Sequence, residues 1–180
     1  MSETQPLPSP ELSKIIKLSE IGGAALTGNI TADDSQREAL AKRFDLPSIE
    51  SLSADYRLEA KEHKISFTGS IRSDLHQNCA ISGQPFPVKV AEEFDIIFVE
   101  KSDNPPAEEE IELEAEDCDI IEYENARIDL GEAIAQTLYL ALDPYPRGPE
   151  ADSVAEKRGL KSEEEAGPFG ALAALKDKLG

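Results

Sequence analysis

IDLGEAIAQTLYLALDPYPR, residues 128–147, carries an amphipathic helix with a stiff exit. Leu130, Ala133, Ile134, Thr137, Leu138, Ala141 and Leu142 recur at i, i+3, i+4, i+7, i+8, i+11 and i+12 and so share one helical face. Asp129 stands where an N-cap belongs, and Glu132 occupies the third helical position, as in a capping box with Asp in place of Ser or Thr. Asp143-Pro144-Tyr145-Pro146 then ends the helix. Pro144 biases Asp143 away from helical backbone angles, and neither proline can donate the hydrogen bond of a further turn.

N-terminal to this helix the chain reads as a β region. Leu52, Ala54, Tyr56, Leu58 and Ala60 alternate with mostly polar neighbours, and Ile65, Phe67, Gly69 and Ile71 do the same. Only Glu62-His63-Lys64 separates them, so the spacing predicts a short-turned antiparallel hairpin. A third strand is expected over 87–100, with Val88, Val90, Phe94, Ile96 and Phe98 on one face. Ile97 and Val99 make its other face apolar too, which reads as a strand covered on both sides. Residues 120–124, IIEYE, form a short strand running straight into the helix. Upstream, 12–22 can hold an opening strand, and 28–47 reads as a first helix. In that helix Thr31 with Asp34 caps the start, Ala39, Leu40, Arg43 and Phe44 make a seam, and Pro47 ends it.

The expected architecture is α+β: an antiparallel sheet with two main amphipathic helices and a short C-terminal helix. Residues 1–11 are a flexible tail, 12–147 the domain, 101–119 an acidic loop within it, and 148–167 a disordered polar linker. Residues 168–180, with Phe169, Leu172, Ala173 and Leu175 on one side, form the last helix, and Lys176 and Lys178 suit its C-terminal dipole.

Charge narrows the partners. The chain has 180 residues and a formal charge of −19. Such a field opposes a polyanion and favours a cationic protein, a metal ion or the cationic face of an assembly. Acidity that merely maintains solubility is the plainer alternative. Two cysteines, Cys79 and Cys118, make no disulfide framework and fit a reducing compartment. No apolar run is long enough to span a bilayer, and MSETQPLPSPELSK lacks the basic and apolar regions of a signal peptide. A soluble, cytoplasmic protein is expected.

Catalytic signals are sparse. No G-x-S-x-G elbow, P-loop, dinucleotide fingerprint or H-E-x-x-H occurs, and carboxylates are too abundant for any pair to mean acid–base work. His76 lies three residues before Cys79, which allows a thiol or metal-dependent enzyme as a minority reading. Cys79-Ala80-Ile81-Ser82 has the spacing of half a zinc knuckle, but its second position is serine. Cys79, His76 and Cys118 do not make up the four ligands of structural zinc. A tight turn with Cys79 as a small buried apolar residue fits better.

These features in this order resemble the YceD family, the large-subunit ribosomal RNA accumulation proteins of bacteria and plastids. In that family a strand pair leads to a cysteine turn, a long strand, an acidic segment and then D-L-x-E-x-x-x-x-x-L-x-L-A-L-x-P. Here the counterparts are Cys79-Ala-Ile-Ser82-Gly-Gln-Pro85-Phe86-Pro-Val88, then Asp129-Leu130-Gly-Glu132 with Leu138-Tyr-Leu140-Ala141-Leu142-Asp-Pro144. Pro144-Tyr145-Pro146-Arg147 and the tail Pro168-Phe169-Gly-Ala-Leu172-Ala-Ala-Leu175-Lys176 look like the proteobacterial branch that keeps only the first cysteine. Ser82 departs from the C-x-x-C form and puts a metal site there in doubt. The resemblance implies a part in accumulating the large ribosomal subunit, with no catalytic residue and no cofactor to carry over.

Taken with the charge, the expectation is a non-enzymatic factor whose partner is a basic ribosomal protein or a large-subunit assembly intermediate. Direct RNA binding through Arg37, Lys42, Arg43, Lys61 and Lys64 is the second reading. Tyr145 and Arg147 either grip a partner or fold away, Tyr145 onto the sheet and Arg147 onto a carboxylate. The burial reading is the favoured one.

Overall fold

Leu52, Ala54, Tyr56 and Leu58 alternate with Ser53, Asp55 and Arg57 because successive side chains of a strand face opposite ways, and the pattern holds in three dimensions. The structure is a computed structural model that describes residues 10–61, 64–101 and 119–159. Along the chain run β1 (Ile15–Lys17), β2 (Leu26–Thr31), α1 (Asp34–Arg43), β3 (Ser48–Lys61), β4 (Lys64–Asn78) and β5 (Pro85–Glu100). They are followed by β6 (Asp119–Tyr123), β7 (Arg127–Asp129), α2 (Leu130–Leu140) and α3 (Ala151–Arg158). The chain divides into two compact units, Met1–His76 with Pro87–Leu142, and Gln77–Phe86 with Asp143–Gly180.

The first unit is α+β. Its five-stranded sheet has the order β2-β3-β4-β5-β6. The expected hairpin is present: β3 and β4 pair antiparallel, with Leu58 opposite Phe67, Tyr56 opposite Gly69 and Ala54 opposite Ile71. That register puts every apolar member on one face, since a slip of one residue would turn them all to solvent. Phe67 is 0% exposed, with ring centroids of Phe94 at 4.8 Å and of Tyr56 and Phe98 at 5.8 Å. Gly69 is required there, because a Cβ would lie 2.1 Å from the Asp55 carbonyl oxygen and 2.7 Å from the Phe94 ring. From the other side Leu40, Leu130, Ile134 and Leu138 close the same core.

Several expectations change. The sheet is not purely antiparallel: β5 and β6 pair parallel, with Phe98 opposite Ile121. A parallel pair needs a crossover of a dozen or more residues, and the acidic segment between Glu100 and Asp119 has that length. Of that expected loop, residues 102–118 lie outside the described residues, as do His63 and the expected C-terminal helix with Pro168, Phe169, Leu172 and Leu175; Cys118 is among the former. Residues 120–124 do not run directly into the helix. β7 intervenes and forms a separate two-stranded sheet with β1, Ile16 opposite Ile128. The opening strand is confined to Ile15–Lys17.

Residues expected to start the first helix at 28 belong instead to β2, which pairs with β3. The cap is Asp33, not Thr31. Its carboxylate accepts from the Gln36 N–H at 2.9 Å while the Gln36 side chain accepts from the Asp33 N–H at 3.0 Å, a complete capping box. On β5, Val90, Phe94, Ile96 and Phe98 are buried, whereas Ile97 and Val99 are only half-buried, so one face carries the core. Part of the stretch read as disordered linker is helical: Ala151–Arg158 form α3, ended by Gly159 at φ 65°. No helix among the described residues is long and apolar enough to cross a membrane.

Candidate functional site

The cysteine turn and the proline exit, expected at separate points of one domain, come together in the second unit. Within the turn the Cys79 N–H donates to the Gln84 carbonyl at 2.9 Å and the Gly83 N–H to the Cys79 carbonyl at 2.8 Å. Gly83 has φ 74°, a left-handed angle that favours glycine. The exit is held to the turn by two bonds: Ala80 N–H to the Pro146 carbonyl at 2.8 Å, and Gln77 Nε2 to the Asp143 carbonyl at 3.0 Å. Asp143 also accepts from the Tyr145 N–H at 2.8 Å, the local Asx bond that an Asp-Pro turn allows. Arg158 of α3 donates to the Ile81 carbonyl at 2.8 Å. Gly148 is buried against Cys79 and Phe86, where an added Cβ would lie 3.4 Å from the Cys79 Cβ and 3.0 Å from the Phe86 ring.

Cys79 is buried, at 3% exposure. Hydrogen bonds from the Ser82 hydroxyl, then from the backbone N–H groups of Ser82 and Gly148, bring its pKa down from 9.0 to about 7. Ser82 thus serves as a donor to the sulfur, with its N–H 3.4 Å away. The folded-state value lies below the ordinary one, so deprotonation favours the folded chain. The native protein is expected to gain stability relative to Cys79→Ala as pH rises from about 7 to 9.0, and none below about 7. Urea midpoints of the two proteins across that range check it. Parallel curves would show that no thiolate forms in the turn.

Tyr145 and Arg147 divide between the two roles expected of them. Arg147 pairs with Asp152 at 2.6 Å. The expected burial of Tyr145 does not occur: its ring is 78% exposed. His76 is engaged in the first unit, with Nδ1 2.8 Å from Glu50 and 3.1 Å from Ser48. Those neighbours hold the Glu50 carboxyl below its usual range, the Ser48 hydroxyl first and His76 after it. No group of three or more His, Cys, Asp or Glu among the described residues could hold a metal.

In the first unit, α2 starts as its sequence demands. Asp129 Oδ1 accepts from the N–H groups of Gly131 at 3.0 Å and Glu132 at 3.3 Å. The same carboxylate takes the Lys14 N–H at 2.8 Å and the Ser13 hydroxyl at 2.6 Å, tying the helix to the segment before β1. The expected capping box is only half formed. Glu132 turns instead to Arg43 of α1 through two bonds of 2.7 and 2.8 Å, and Arg43 is held by Glu11 as well. This pairing keeps the Glu132 carboxyl below its usual pKa. Leu130 and Leu138 are fully buried and Leu142 is half-buried, but Leu140 is 71% exposed beside Tyr139, and Pro144 is exposed. Sequence reasoning did not single out Tyr139. Its position off the apolar stripe was the available signal.

The basic side chains considered for RNA are mostly spoken for. Arg37 bonds Asp34 and the Ala32 carbonyl, Arg43 bonds Glu132 and Glu11, and Lys61 lies 3.9 Å from Glu59. A family model described as "Large ribosomal RNA subunit accumulation protein YceD" matches residues 67–176, which span both the cysteine turn and α2. No curated protein and no solved structure matches the chain.

Proposed function

The chain belongs to the YceD family of large ribosomal RNA subunit accumulation proteins, and from that membership we propose a non-enzymatic factor in large-subunit biogenesis that binds a basic ribosomal protein or assembly factor. The family match over residues 67–176 carries this reading. The charge of −19 supports the choice of partner, since a ribosomal protein before incorporation is a cation whose encounter such a field accelerates and whose wrong partners it discriminates against. Binding in place of chemistry is supported by the burial of Cys79, which shields its sulfur from a substrate in either protonation state. Engagement of Arg37 and Arg43 by carboxylates weighs against direct RNA contact through α1. The cytoplasm, where free ribosomal proteins meet nascent large-subunit RNA, is the proposed place of action.

Depletion of the protein in its host is expected to lower large-subunit RNA relative to small-subunit RNA. An unchanged ratio would remove the function. Affinity purification of the full chain is expected to recover a basic ribosomal protein in a complex that salt dissociates. Tight, sequence-specific RNA binding by the purified chain would replace that partner with RNA.

A further inference from the structure

Three large apolar or aromatic side chains meet on the first unit where the ends of α1 and α2 lie together. Phe44 follows α1, and its ring centroid is 5.2 Å from that of Tyr139 on α2. Tyr139 is 56% and Leu140 71% exposed, consecutive large residues in the last turn of a helix. With Arg43 and Gln136 they line a groove of about 340 Å³. Its polar wall is fixed in advance. Arg43 holds Glu132 by two bonds and stands 5.5 Å from the Phe44 ring centroid, and Gln136 donates to Glu132 at 3.0 Å. A rigid aromatic and aliphatic cluster beside an anchored arginine is the composition of a binding hot spot, in which little ordering remains to be done on association.

Charge identifies the occupant. The single guanidinium at the groove faces two carboxylates, Glu132 and Glu11, so it offers no spare positive charge to a phosphate. Asp45 stands exposed just beyond Phe44. α1 carries Lys42 and Arg43 in its last turn, which complement its own dipole, but α2 has no basic residue in its last turn. The negative end of α2 therefore lies beside Leu140 without a cation of its own. We propose that the groove of Phe44, Tyr139 and Leu140 receives an amphipathic basic segment of a protein partner, an apolar side chain entering the groove and Lys or Arg meeting the end of α2. This rests on the proposed basic partner and gives it a place on the molecule. The mode is an amphipathic helix laid into an apolar groove.

The test uses the full chain and a synthetic Leu/Lys amphipathic helical peptide, with a scrambled peptide of the same composition as control, in fluorescence anisotropy. Leu140→Asp is the informative variant because it adds negative charge. Attraction by charge alone would tighten the cationic peptide, whereas the groove predicts weakening by about tenfold or more. The amphipathic peptide is expected to outbind the scrambled one, and only its binding should suffer. Tyr139→Ser is run in parallel and decides alone if Leu140→Asp fails to fold by circular dichroism. Unchanged or tighter binding in the folded variants overturns the proposal. So does binding of poly-uridine RNA that the variants abolish, or a dimer in sedimentation that they break, which would give the groove to RNA or to a second copy. The broader reading fails on a different result, the absence of any basic protein with the purified native chain. A basic ribosomal protein recovered equally with native and Leu140→Asp chains would keep that reading and discard the groove.

Discussion

Phe67→Ala is expected to destabilise the first unit by about 3–5 kcal/mol, a large share of the roughly 5–15 kcal/mol that holds a domain folded. The side chain is fully buried, and the rings of Tyr56, Phe94 and Phe98 surround it at 4.8–5.8 Å. Truncation removes the transfer free energy of a benzyl group and leaves a cavity in the middle of the sheet. The walls cannot close freely over it. Gly69 already brings the β3 backbone and Phe94 as near as they can come, so collapse would have to shift the strand pair itself. Urea denaturation should show a lowered midpoint with an unchanged slope. A loss under about 1 kcal/mol would mean that the aromatic cluster is loosely packed.

Leu138→Ala is expected to cost about 2–5 kcal/mol and Leu140→Ala no more than about 0.5 kcal/mol, although the two residues are alike and sit in the same helical turn. Leu138 is 0% exposed and Leu140 71% exposed. The comparison separates the two jobs of α2. One leucine fastens the helix to the sheet, and the other presents an apolar surface that the folded chain itself does not use. Thermal or urea unfolding of the two variants decides the matter. Equal losses would show that Leu140 packs against its own chain, which would close the groove to a partner.

Much of α2 was readable because its determinants are local. Asp129 caps it by bonding N–H groups two and three residues ahead, and Leu130, Ala133, Ile134 and Leu138 repeat at the helical period and are buried. The strands of the β3–β4 hairpin were readable for the same reason. Their alternation carries the register, since one face is apolar throughout. Errors arose where two local readings competed. Residues 28–31 could extend a helix or form a strand, and only the pairing of β2 with β3 settles it. Thr31 and Asp33 are both acceptable caps by type, and the choice follows from where that strand stops.

The candidate sites were legible in their parts but not as assemblies. Cys79 and Pro146 were visible as a turn and an exit about seventy residues apart, yet nothing local joins the Ala80 N–H to the Pro146 carbonyl, and Gly148, read as linker, packs on Cys79. Ser82 could be recognised as the residue that spoils a metal pair; its role as a donor to sulfur depends on the turn geometry. Glu132 had a sound local role in a capping box and took a different one with Arg43, 89 residues away, because a bidentate pairing with a guanidinium outweighs one neutral N–H bond.

Although α2 ends at Leu140, short of the expected stop at Asp143-Pro144, the amino-acid sequence by itself determined the helix from Leu130 and its cap, the apolar alternation of the long strands, the acidity of the chain and its family. Those properties rest on neighbours within a few residues, or on composition, and survive in any fold. Tertiary structure alone decided the parallel seat of β6 and the pairing of β7 with β1. It also decided the meeting of Phe44 with Tyr139. Each of these depends on what lies opposite a residue in space, and burial is a property of the surroundings that no side chain carries with it.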